Sequence, residues 1–170
     1  MAGPVSDNRG RIVLDSDPGR FLFAAWLNVS VLVWIAQVDE AAAARLKAAT
    51  SNLSVEYPQG RSCVSVIKPG LPFPAEGARA RFIEVLNRSG AGLANLAVVI
   101  LGQGFERSAH FSYHTSVRLA STGTSEVGFL GSIEELTAWL PERHRVTGIA
   151  LDPEELSRAV KQALHLASER

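Results

Sequence analysis

Glu106, His110 and His114 follow one another at spacings of four, which on a helix aligns one carboxylate and two imidazoles along a single face. Imidazoles at that spacing can chelate zinc together. However, Phe111 follows His110 where a zincin-type helix carries glutamate, and no third ligand stands nearby. The trio therefore reads as polar positions of an ordinary helix, and no metal is expected. Cys63 would be a nucleophile if a histidine approached it. It sits in an apolar run, Ser62 to Lys68, without a neighbouring activating charge, and reads as a small buried hydrophobe. Ser89-Gly90-Ala91-Gly92 follows a helical segment, and Arg88 replaces the first glycine of a nucleophile elbow, so it reads as a helix-terminating loop. Gly102-Gln103-Gly104 joins an apolar strand to a helix, where backbone N–H groups can hold an anion. A dinucleotide fingerprint would need a third glycine at Arg107. The pair is either a tight turn or an anion- or ligand-binding site made by Gly102, Gly104, Phe105 and Arg107. No complete catalytic set emerges, so neither enzymatic activity nor a cofactor is expected.

The elements that would position these residues follow from pattern. Arg11 to Ser16, Phe21 to Leu27 and Val29 to Gln37 are rich in β-branched and aromatic residues, with Asp17-Pro18-Gly19 and Asn28 at the bends. This predicts an antiparallel meander behind a mobile tail, residues 1–9. Asp39 and Glu40 start a helix with Ala42, Leu46, Ala49 and Leu53 on one face. Strand 62–68, a proline-rich loop and a helix over 75–88 come next. The continuous apolar run Leu96 to Leu101 predicts a strand covered on both faces and placed at the sheet's centre. A helix to about Leu119 and a strand Glu126 to Leu130 follow. Ser132 and Glu135 form a capping box for a helix that Pro141 should end, and Asp152, Pro153 and Glu155 start a last helix. Alternating strands and helices after a meander imply one α/β domain with a small mixed sheet covered by helices.

Three stretches point to a family. They are Trp34-Ile35-Ala36-Gln37-Val38-Asp39, Ala97-Val98-Val99-Ile100-Leu101-Gly102-Gln103-Gly104-Phe105 and Ser132-Ile133-Glu134-Glu135-Leu136-Thr137-Ala138-Trp139-Leu140. In this order, after a meander, they resemble the STAS/SEC14-like group of bacterial proteins related to anti-sigma-factor antagonists. The resemblance covers roughly residues 10–140 and leaves 141–170 as a C-terminal extension. It implies a regulatory or scaffolding module working through protein contacts. Its SEC14-like side implies a carrier or sensor of a lipid or other small apolar ligand, with Phe82, Phe105, Phe111 and Trp139 lining the pocket. In the phosphorylated antagonists a serine opens the helix after the corresponding strand. Here Lys68-Pro69-Gly70-Leu71-Pro72-Phe73-Pro74 has no hydroxyl, so no phosphoserine switch is expected there.

Lys plus Arg equals Asp plus Glu at 17 each, which gives no overall field for nucleic acid or anionic membrane. The apolar run Phe21 to Ala36 is too short and β-branched to span a membrane, and the N-terminus has no secretory pattern. One cysteine among 170 residues forms no internal disulfide, and a cytoplasmic location is expected. The expected partner is an unidentified protein, bound by the 69–88 segment through Leu71, Phe73, Arg79 and Arg81, with Arg88, Glu76 and Glu84 nearby. Leu156, Ala159, Val160, Ala163, Leu164 and Ala167 form an apolar stripe that must be covered by the domain itself, a partner or a second copy. The expectation taken forward is that Leu156, Val160 and Leu164 face a partner or the second subunit of a homodimer. Trp26, Trp34 and Trp139 are expected in the core.

Overall fold

The computed structural model describes residues 5–6, 11–17, 19–88 and 92–169. Among the described residues, seven strands form one sheet in sequence order: β1 (Val5–Ser6), β2 (Arg11–Asp17), β3 (Phe21–Trp26), β4 (Val29–Trp34), β5 (Arg61–Ile67), β6 (Leu93–Ile100) and β7 (Glu126–Leu130). Pairing is antiparallel through β4 and parallel from β4 to β7. The α/β mixed-sheet expectation therefore holds. Within the span read as a tail, Val5–Ser6 pairs with β2; the rest of that span, together with Pro18 and Ser89 to Ala91, lies outside the described residues.

The parallel strands advance in one direction across the sheet. Right-handed crossovers then place α1 (Glu40–Glu56), α2 (Glu76–Arg88) and α3 (Gly104–Ala120) on one face. Ala42, Ala43, Leu46, Ala78, Leu86 and Val117 supply the helical side of that layer. The opposite face is covered by α4 (Ile133–His144) and α5 (Pro153–Ser168). Coverage on both sides explains why every residue of β3, β4 and β5 is buried.

Three expectations are corrected here. The strand of the 96–101 run, β6, is interior but second from the β7 edge, and β4 holds the centre, because the meander adds three strands on the other side. Pro141 does not end its helix: α4 continues to His144, since only one turn remains to lose a hydrogen bond. The C-terminal extension is no separate unit. Leu156, Val160 and Ala163 are fully buried against α4 and the β3–β4 side of the sheet, so the domain itself covers the stripe and withdraws Leu156 and Val160 from any partner. Leu164 is partly buried against the same cluster. The starts of α4 and α5 read from the sequence are present. Ser132 Oγ accepts from Glu135 N–H at 3.1 Å and Asp152 Oδ1 accepts from Glu155 N–H at 2.9 Å.

A candidate ligand cavity under three helices

A partly open cavity of about 90 Å³ lies between the sheet and helices α1 to α3. Its floor exists because β5 presents Cys63 and Ser65 at positions where larger side chains would fill the space. Trp34 and Phe82 meet edge to face with ring centroids 5.8 Å apart, and with Phe129 they form its aromatic part. Trp34 Nε1–H donates to Ser65 Oγ at 3.1 Å, which satisfies the buried indole. Leu46, Leu86, Leu96, Val98 and Val117 complete an apolar lining.

Three basic side chains interrupt it: Arg61, His114 and Arg118. Arg61 is 1% exposed, and burial lowers its pKa, with a small opposing effect from Cys63. Burial, then the nearby His110, push His114 down to about 4, so it is neutral at pH 7. The Cys63 thiol is pushed up by burial, against a hydrogen bond from Ser30 and the charge of Arg61, so it is protonated rather than nucleophilic.

Of the ring set expected in a pocket, only Phe82 lines this one. Phe105 is 88% exposed, Phe111 leans on Phe129 at 5.2 Å from outside, and Trp139 lies on the other face of the sheet against Gly128. On the Glu106–His110–His114 face, two side chains bind the backbone of the loop after β5. Glu106 accepts from Gly70 N–H, and His110 Nε2–H donates to the Leu71 carbonyl at 2.9 Å. These bonds fasten the loop after β5 onto α3. Leu71 is consequently buried, which removes it from the proposed partner surface, whereas Phe73 remains 44% exposed beside His110. Arg81 binds Glu40 and Glu84 at 2.8 and 3.1 Å, and Arg79 donates to the Ser116 carbonyl at 3.4 Å. Both arginines thus join helices. Gly102 and Gly104 have φ of +148° and +65°, so each meets a turn requirement that favours glycine. Arg107 reaches across to Gly131 after β7.

Sequence reasoning missed a second polar cluster. Ser62 Oγ–H donates to His144 Nδ1 at 2.7 Å, His144 Nε2–H donates to Asn28 Oδ1 at 2.7 Å, and Asn95 Nδ2 donates to Ser62 Oγ at 3.0 Å. The tautomer is assigned from this network. The order Ser–His–Asn copies a nucleophile, base and orienting group. Yet Ser62 and His144 are 0% exposed and Asn28 2%, so no substrate reaches the hydroxyl. The cluster is structural. Asn28 also donates to Gly60 O and Thr147 Oγ1, which holds the β3–β4 turn where Leu27 takes φ of +52°.

No protein-family profile matches the sequence, and no curated protein matches it. One solved structure is similar: an uncharacterized protein of the DUF3478 family from Shewanella loihica PV-4, described as having a SpoIIAA-like fold. The TM-score is 0.53 at 8% identity, covering 74% of this chain and 98% of that one. The fold is SpoIIAA-like. That agrees with the STAS side of the resemblance and carries no SEC14-like feature in particular. Among the described residues, no helix is long and apolar enough to cross a membrane.

Proposed function

We propose that this chain is a non-enzymatic regulatory module that senses or carries a small apolar ligand in the cavity beneath α1, α2 and α3. The observation that carries the reading is the cavity itself: a core otherwise closed by large side chains leaves space over Cys63 and Ser65. Tightly packed interiors keep few such voids, and each forfeits contacts among its lining atoms. A ligand restores those contacts. A binding rather than catalytic role is supported by the protonated state of Cys63 and the burial of Ser62, which leave neither as an accessible nucleophile. Native mass spectrometry of freshly purified protein tests the reading. Retained ligand mass that disappears on denaturation supports it, as does its loss in Phe82→Trp, whose larger ring fills the space. Bare protein mass, unchanged after incubation with apolar candidates, contradicts it.

A second reading, signalling through protein contact, is favoured by a separate observation. Phe105, Leu119, Phe111 and Phe73 are 88%, 81%, 48% and 44% exposed on α3 and the loop fastened to it. Large apolar side chains left in solvent along one helix and its adjoining loop are candidates for contact with another protein. The two readings are compatible, because α3 carries both the exposed rings and the cavity wall formed by His114, Val117 and Arg118.

A further inference from the structure

Most polar groups in the cavity wall already have partners. The Ser65 hydroxyl oxygen accepts from Trp34 Nε1–H, Cys63 is hydrogen-bonded with Ser30, and Arg118 Nη1 donates to Ser121 Oγ at 3.2 Å. Arg61 is 1% exposed and engaged with other groups. His114 differs. Its ring stacks on His110 with centroids 6.3 Å apart and meets the Tyr113 ring edge-on at 5.2 Å. Among the described residues, however, neither of its ring nitrogens has a hydrogen-bond partner. Helix α3 sets His114 one turn after His110, which is tied to the loop after β5, and one turn before Arg118.

With its pKa at about 4, the imidazole is neutral at pH 7 and carries one N–H donor and one lone pair. Facing an apolar space, such a group is costly until something bonds to it. A hydroxyl group both donates and accepts, so it satisfies this ring in either tautomer. A carbonyl, ether or carboxylate only accepts. Resting on the ligand-binding reading above, we propose that the ligand is a small uncharged aliphatic alcohol whose hydroxyl bonds to His114. Its apolar part lies against Phe82, Val98 and Phe129; the last two are register partners on β6 and β7 and form one row of the floor. Size sets the second limit. The enclosed volume of about 90 Å³ is smaller than the roughly 150 Å³ of an engineered cavity that holds benzene. A short or branched chain fits within it, and a longer chain must leave through the open side.

Titration of the full chain near pH 7.5 with 1-hexanol, 1-fluorohexane and hexanoate tests this. The three share a chain length; fluorine in place of the hydroxyl cannot donate and is a poor acceptor, and hexanoate adds a charge. His114→Leu should weaken 1-hexanol about fivefold, as expected for one lost hydrogen bond, and leave 1-fluorohexane within about twofold of its own value. Hexanoate should bind the unsubstituted protein more weakly than 1-hexanol. Tighter binding of hexanoate, or an equal effect of His114→Leu on both neutral probes, overturns the alcohol class yet leaves an apolar ligand in place. Binding of none of the three overturns both the class and the reading beneath it. If His114→Leu does not fold, nitrogen-15 NMR of the His114 ring in the unsubstituted protein decides instead. Its nitrogen signals should move further with 1-hexanol than with 1-fluorohexane, and equal shifts overturn the proposal.

Discussion

The Nδ1 atom of His144, at the end of α4, lies 2.7 Å from the hydroxyl oxygen of Ser62 on β5, across 82 residues of sequence. The contact fixes the histidine as a neutral acceptor toward Ser62, and burial lowers its pKa to about 4. A free histidine in the unfolded chain titrates near 6.5. As pH falls, the unfolded state therefore takes up the proton first, and folding must oppose it. The contribution of His144 is complete above about pH 6.5, declines from there to about pH 4, and levels off below that. Its full extent is about 3 kcal/mol, since each unit of difference corresponds to about 1.4 kcal/mol. Urea unfolding at a series of pH values should show this loss, and His144→Gln should flatten the profile. Ser62→Ala should cost about 1–3 kcal/mol by leaving buried polar partners unsatisfied.

Helix α5 gives an opposite expectation to the one its sequence position suggests. Leu156 is fully buried against the sheet, so Leu156→Ala should lower unfolding free energy by about 2–5 kcal/mol. Truncation after Thr147 should abolish the folded state, as seen by circular dichroism, rather than release a folded monomer.

The contrast shows which features are local. The capping boxes at Ser132 and Asp152 are legible because cap and acceptor stand three residues apart, and the meander is legible from β-branched runs and turn residues. The stripe on α5 announces an ordered amphipathic helix, but its pattern does not say which surface covers it. The cavity was less legible still. Arg61 resembles any surface arginine in sequence, and its burial follows from β5 lying between β4 and β6 beneath three helices. Nothing within tens of residues announces that Asn28, Ser62, Asn95 and His144 meet, for each bond spans at least 33 positions. The Phe82, Phe105, Phe111 and Trp139 set failed for a related reason, because which sheet face or helix side a ring occupies is settled by topology.

Close approach of backbone and ring supplies another test. A Cβ added at Gly128 on β7 would meet Cε2 of Trp139 at 2.6 Å, so α4 sits on the sheet only because that position has no side chain. Gly128→Ala should cost about 1–3 kcal/mol, measured by chemical denaturation. The Trp139 fluorescence should also change, because its ring must move.

Cys63 reports on the same region as the cavity. Buried and held protonated, it should react with a thiol reagent far more slowly in the native protein than in denaturant. A cavity ligand should slow it further in native buffer.

The most direct measurement is a methyl-resolved carbon–proton NMR spectrum during titration with 1-hexanol. The methyl signals of Leu46, Leu86, Leu96, Val98 and Val117 should shift progressively, since these residues line the cavity. Those of Leu136, Leu140 and Leu156, buried on the opposite face of the sheet, should stay in place. Shifts spread equally over both faces, or absent from the first group up to the solubility limit of the alcohol, would contradict the account of this chain as a ligand-binding module.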